Sequence, residues 1–169
     1  LLDAFLGKRA LGQGVRGAVG GALGYSMRFF AAHLFYYLQV DVFDFLFLSL
    51  MKEIHSAKDF AHVMRAHRSF HVKLASMTFL DDASTHDSLE RVLLCILRFV
   101  GVQQEQQQRQ QEQRGRHVLE LHEESTCIEK DFYKELGLLF QLLRKTDANA
   151  LVTTLDFNYF FSGKIAHQH

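Results

Sequence analysis

Between Phe29 and Ile54 the chain is built almost wholly of Phe, Leu, Val, Ala and Tyr, a run too apolar for an ordinary surface helix. Its polar side chains fall mainly at His33, Tyr37, Asp41, Asp44, Lys52 and, just beyond, His55. Spacings of three, four and eight residues place these on one narrow stripe of a 3.6-residue helix. The pattern predicts a helix buried on most sides, in a bundle or against a partner, with the polar seam left to water or to that partner. The run is long enough to cross a bilayer, but Gln39, Asp41 and Asp44 lie near its centre, where acids are costly, so no membrane span is expected.

The chain has 169 residues, 48% of them apolar and 22% charged, which is the composition of one globular domain with a core. It contains no proline, so the commonest helix breaker is missing and long helices are expected. Formal net charge is zero, so nothing global favours nucleic acid or an anionic membrane. Cys95 and Cys127 sit in apolar helical patterns without metal or redox spacing, which points to a reducing, cytosolic compartment. The opening residues do not follow the order of a secretory leader, so secretion is not expected.

Residues 1–26 are rich in glycine and read as a loop or disordered lead-in. A second helix is expected from Asp59 to Leu80, with Phe60, Val63, Met64, His67, Phe70, His71, Leu74 and Met77 on its apolar face. A polar turn at Asp81, Asp82 and Ser84 leads to a third helix. Asp87 and Glu90 give it a capping-box-like start, and its core face is Leu89, Val92, Leu93, Ile96, Phe99 and Val100. Residues 103–116, QQEQQQRQQEQRGR, have no apolar side chain to bury and read as a solvated insertion. Periodicity resumes with Val118, Leu121, Ser125, Ile128, Phe132, Leu136, Leu139 and Leu143. A last helix is expected from near Asp147 through LVTTLDFNYFF. The result is an all-α bundle of about five helices with a glutamine-rich insertion.

Chemistry has few footholds. His67 and His71 are an i, i+4 pair able to place two imidazoles on one zinc ion, but they lack the glutamate of HExxH and fall on the apolar stripe, where a hydrogen-bonded core or interface role is simpler. Asp41 and Asp44 are paired carboxylates without a nucleophile or oxyanion donors nearby in sequence. There is no phosphate-binding loop motif. No catalysis, cofactor or bound metal is expected. Arg65 and Lys73, with Arg68 flanking, form a basic face over about two helical turns, suited to an acidic protein surface.

Four segments carry a resemblance in order: MRFFAAHLFYYLQVDVFDF, DFAHVMRAHRSFHVKLASMTFL, IEKDFYKELGLLFQLLRK and LVTTLDFNYFF. Together they resemble the C-terminal domain of the gamma-tubulin complex component family. The matching residues are Leu34 to Val42; then Asp59, Phe60, Arg65, Ala66, His67 and Phe70, closing with Phe79 and Leu80; then Leu155 to Phe160. His33, Phe35 and Thr154 depart from the family pattern, and the glutamine-rich tract is an insertion in it.

The resemblance implies a helical gamma-tubulin-binding domain over residues 27–162, interrupted at 103–116 and followed by a tail at 163–169. It implies gamma-tubulin and other gamma-tubulin complex components as partners, with neither nucleic acid nor membrane. It further implies templating of microtubule nucleation, and a place in the cytoplasm and cytoskeleton at a microtubule-organising centre or spindle pole. Arg65, Arg68, Lys73, Phe35 and Tyr36 are the expected gamma-tubulin contacts. The competing reading is a peripheral membrane protein whose aromatic helix at 29–54 lies in the lipid interface.

Overall fold

The computed structural model describes residues 18–111, 118–146 and 149–166. Among them the chain is all-α, as its periodicities require. Helix α1 (Ala18–Tyr36) passes through a π-helical stretch (Tyr37–Asp44) into α2 (Phe45–His55). There follow α3 (Phe60–Met77), α4 (Ala83–Gln111), α5 (Val118–Leu143), α6 (Asn149–Leu155), a 3-10 turn (Phe157–Tyr159) and α7 (Phe160–Ala166).

The first rod departs most from expectation. Its buried apolar residues are Leu23, Met27, Phe30, Leu34 and Tyr37, at steps of three and four; then Val42, a step of five; then Leu46 and Leu50, at steps of four. On an α-helix five residues overshoot one turn by about 140°. The wider i→i+5 winding of the π stretch absorbs the extra residue and brings Val42 inward in place of Asp41. The predicted polar seam is therefore not the outer face. Tyr37, a member of that seam, is buried, stacks on Phe79 and donates its hydroxyl to the Met77 carbonyl at 3.1 Å. Phe35, Tyr36, Val40, Phe47 and Leu48 face outward instead. A seam traced at a constant 3.6 residues per turn cannot follow a rod that changes its winding halfway.

The glycine-rich lead-in is also corrected in part. Helix α1 starts at Ala18, so residues 18–26 are helical, while 1–17 lie outside the described residues. Gly24 is used for close packing: a Cβ there would stand 3.3 Å from the Phe99 ring of α4.

Asp59 starts α3 by accepting the His62 backbone N–H at 2.6 Å, a cap worth about 1 kcal/mol. The helix ends at Met77 because Phe79 takes a left-handed conformation, φ 61°. The Leu80 N–H then reaches the Ala75 carbonyl at 2.9 Å and the Phe79 N–H the Ser76 carbonyl at 3.1 Å, which satisfies the last free carbonyls. Glycine usually holds such a position, because a side chain there costs roughly 1–2 kcal/mol. Burial of the Phe79 ring against Tyr37 offsets that cost. The apolar face of α3 is narrower than its sequence suggests. Ala66 is buried and Val63, Phe70, Leu74 and Met77 are half-buried, whereas Phe60, 77% exposed, and Met64, His67 and His71 face outward.

Helix α4 starts four residues earlier than Asp87. Asp82 accepts the Ser84 N–H at 3.1 Å and the Thr85 hydroxyl, so the cap is Asp82. Its inner face is Val92, Cys95, Ile96, Phe99 and Val102, and Leu93 is exposed. Residues 103–111 continue the helix instead of leaving it, since Gln, Glu and Arg are good helix formers. The remainder of the tract, 112–117, lies outside the described residues. Helix α5 presents Ser125, Ile128, Phe132, Leu136, Leu139 and Leu143 inward, as its spacing predicts. It runs antiparallel to α4, with Arg91 and Glu135 at 2.8 Å and Arg98 and Asp131 at 3.4 Å across the seam. These exposed pairs orient the helices and contribute up to about 1 kcal/mol each.

The expected single C-terminal helix is two. Asp147 lies outside the described residues, and the break falls at Asp156. The Asp156 carboxylate accepts the backbone N–H groups of Phe161 at 3.0 Å and Ser162 at 2.9 Å, together with the Ser162 hydroxyl. That cap starts α7, which runs through Ala166, so 163–166 of the expected tail are helical. Phe161 is then fully buried among Phe30, Phe132 and Phe140.

Candidate interaction surface

The first rod has an outward stripe at a constant step of four: Tyr36, Val40, Asp44, Leu48 and Lys52, flanked by Phe35, Gln39 and Phe47. Leu48 is 69% and Tyr36 55% exposed. The stripe lies opposite the residues that hold the rod in the fold, Leu34, Tyr37, Val42 and Leu46.

Two of the expected contact residues, Phe35 and Tyr36, lie on this stripe. Arg65 and Arg68 are exposed on α3, three residues apart, and form no ion pair among the described residues. Lys73 stands elsewhere. It lines a shallow groove between α2 and α3 with Glu53, Ser49, Leu50 and Phe70, so the basic residues of α3 do not form one patch. Val40, Phe47 and Leu48 are surface residues that sequence reasoning missed, because an inward leucine and an outward one look alike in composition.

His67 and His71 meet at an Nε2···Nε2 distance of 3.2 Å, with rings nearly perpendicular at 81°. Both are exposed, so the expected core role is corrected. Among the described residues no three His, Cys, Asp or Glu side chains gather to hold a metal ion.

Behind the surface lies a buried polar node with no sequence signal, since its members are far apart in the chain. Ser26 Oγ donates to the Ala22 carbonyl at 3.0 Å and accepts from the Tyr133 hydroxyl at 3.1 Å and from Lys164 Nζ at 2.6 Å. Lys164 also stands over the Phe160 ring, 4.3 Å from its centroid. Burial pushes the Tyr133 phenol up and the Lys164 ammonium down from their usual ranges. The node ties α1, α5 and α7 together.

These features define an all-α helical bundle with an exposed aromatic stripe and two arginines that form no ion pair among the described residues. The family described as gamma tubulin complex component C-terminal matches residues 18–161, and the chain belongs to that family. Gamma-tubulin complex component 4 of Mus musculus is 28% identical over 143 residues, covering 80% of this chain, and its Homo sapiens counterpart is 27% identical over the same length. The chain spans about a fifth of the length of these relatives.

Proposed function

We propose that this chain binds gamma-tubulin as part of a gamma-tubulin complex and helps to template microtubule nucleation at microtubule-organising centres in the cytoplasm. The observation that carries the reading is the outward aromatic stripe from Phe35 to Leu48 in a chain of this family. An exposed stripe of this aromatic content on one helix is the kind of surface that a protein partner covers. In the proposed mechanism the stripe and the Arg65/Arg68 pair hold gamma-tubulin at a fixed place. Alpha/beta-tubulin dimers then meet a preformed row, and slow nucleation by collision is bypassed. The domain contributes position and no chemistry.

Biolayer interferometry of the full chain against purified gamma-tubulin at micromolar concentration tests this. Arg65→Glu with Arg68→Glu is expected to weaken binding by about tenfold or more through lost steering and contact, with an unchanged melting temperature. Absent binding by folded wild-type protein would remove the proposal, and unchanged affinity of the double variant would remove the arginine face from it.

One observation favours a second reading. The helix Gly21–His55 is long and apolar enough, by length and composition, to cross a membrane. An interfacial helix would use the same aromatic stripe. Flotation with liposomes separates the two: co-flotation without gamma-tubulin affinity would favour lipid.

A further inference from the structure

We propose that His67 and His71 form a solvent-facing chelate for a borderline divalent transition-metal ion of the zinc, nickel and copper class. Neither residue belongs to the surface proposed for gamma-tubulin, so the inference is independent of that reading.

The argument is geometric. An i, i+4 spacing puts both rings on one helical face, and here the two Nε2 atoms are already 3.2 Å apart. With metal–nitrogen bonds of about 2.0–2.1 Å, nitrogens at that separation subtend about 99–106° at the ion, close to the tetrahedral angle. Imidazole nitrogens select this class over calcium and magnesium, which take oxygen. Phe70 packs edge-on to His71 at 5.5 Å, and the helix beneath is held in the fold by the half-buried Val63, Phe70 and Leu74.

The present contact is a hydrogen bond in which one ring N–H donates to the lone pair of the other. Metal binding needs that proton moved from Nε2 to Nδ1 of the same ring, after which both Nε2 lone pairs are free. No third protein ligand stands nearby among the described residues, so the remaining positions belong to water or to a group from a bound partner. Such a site has open positions, unlike a closed structural zinc site.

Isothermal calorimetry of the full chain with zinc chloride tests the proposal, with wild type compared to His67→Gln, His71→Gln and, as a control on the same helix, His62→Gln. One zinc ion per chain above background is expected for wild type and His62→Gln. Either single variant at the pair should lose about tenfold or more in affinity, because a chelate becomes a single ligand. All three sites are on the surface or its margin, and circular dichroism verifies that each variant is folded. Wild-type-like zinc binding by His67→Gln or His71→Gln would overturn the proposal, as would wild-type binding no stronger than that of the two single variants.

Discussion

Removing the Ser26 hydroxyl is the sharpest probe of how the domain is held together. Ser26 is fully buried, and its oxygen uses every hydrogen-bonding capacity it has: one donated bond to Ala22 and two accepted from Tyr133 and Lys164. In Ser26→Ala the three partners fare differently. The Ala22 carbonyl keeps its helical N–H bond, and Lys164, partly exposed, can turn to water at little cost. Tyr133 cannot: the residue is 3% exposed, and its hydroxyl would be left in the core without an acceptor. An unsatisfied buried hydroxyl costs about 1–3 kcal/mol, which for a chain of this size lowers the melting temperature by about 2–12 °C. Pairing the change with Tyr133→Phe removes both the donor and its lost acceptor, and two apolar surfaces of similar shape can pack almost neutrally. The double variant should therefore be more stable than Ser26→Ala alone. Urea unfolding followed by circular dichroism measures all three variants. Additive losses would show that Ser26 and Tyr133 are not coupled, and the reasoning from the buried node would fail.

The thiols should differ in reactivity. Cys127 is exposed and should react at once with a disulfide reagent, whereas Cys95 is buried, its thiol held up first by burial and then by Asp131, and should react only on unfolding. Two fast equivalents in the native state would contradict the packing of α4 against α5. Alkaline stability should fall from about pH 10 upward. Tyr37, raised by burial and then by Asp41, and Tyr133, raised by burial, are favoured neutral in the fold. Their contribution is complete below the ordinary phenol value and is lost as pH rises through the raised ones. Lys164, lowered by burial, acts in the opposite sense and at lower pH, adding stability as pH rises toward the ordinary ammonium value. Tyr37→Phe should flatten the fall in melting temperature between pH 9 and 11, and an unaltered slope would refute the assignment.

The helix α5 was legible from sequence because its apolar residues keep one period from Ser125 to Leu143 and its inner face is the one that packs. The first rod was legible as a helix but not as a surface, because its buried set skips from Tyr37 to Val42 and no propensity marks that skip. Helix ends were read worst. Phe79 takes a left-handed conformation that composition reserves for glycine, and Asp156 breaks an apolar run that scans as continuous helix. In both places tertiary burial, of Phe79 against Tyr37 and of Phe161 among the rings of Phe30, Phe132 and Phe140, supplies what the local sequence does not. The exposed aromatic stripe was half legible. Phe35 and Tyr36 are exposed, while Lys73 is turned toward α2 by a phase that only the packed helix pair reveals.

The size of the aromatic stripe limits what it can do alone. Phe35, Tyr36, Val40, Phe47 and Leu48 are each about half exposed. Full burial of such a side chain is worth about 1.5–3 kcal/mol, so a partner covering all five would recover about 4–8 kcal/mol. Association of two proteins costs about 4–15 kcal/mol in lost freedom. Apolar cover of the stripe therefore comes close to balancing that cost without exceeding it by much, and further contacts, such as those proposed for Arg65 and Arg68, would have to supply the surplus. A single copy should then hold its partner weakly, whereas copies arrayed at a fixed spacing would hold a row of partners tightly through high effective concentration. That division suits a template. Under the proposed function, subunits that bind weakly one at a time and strongly in a row would assemble only where the row exists, and the modest area of the stripe is compatible with that use.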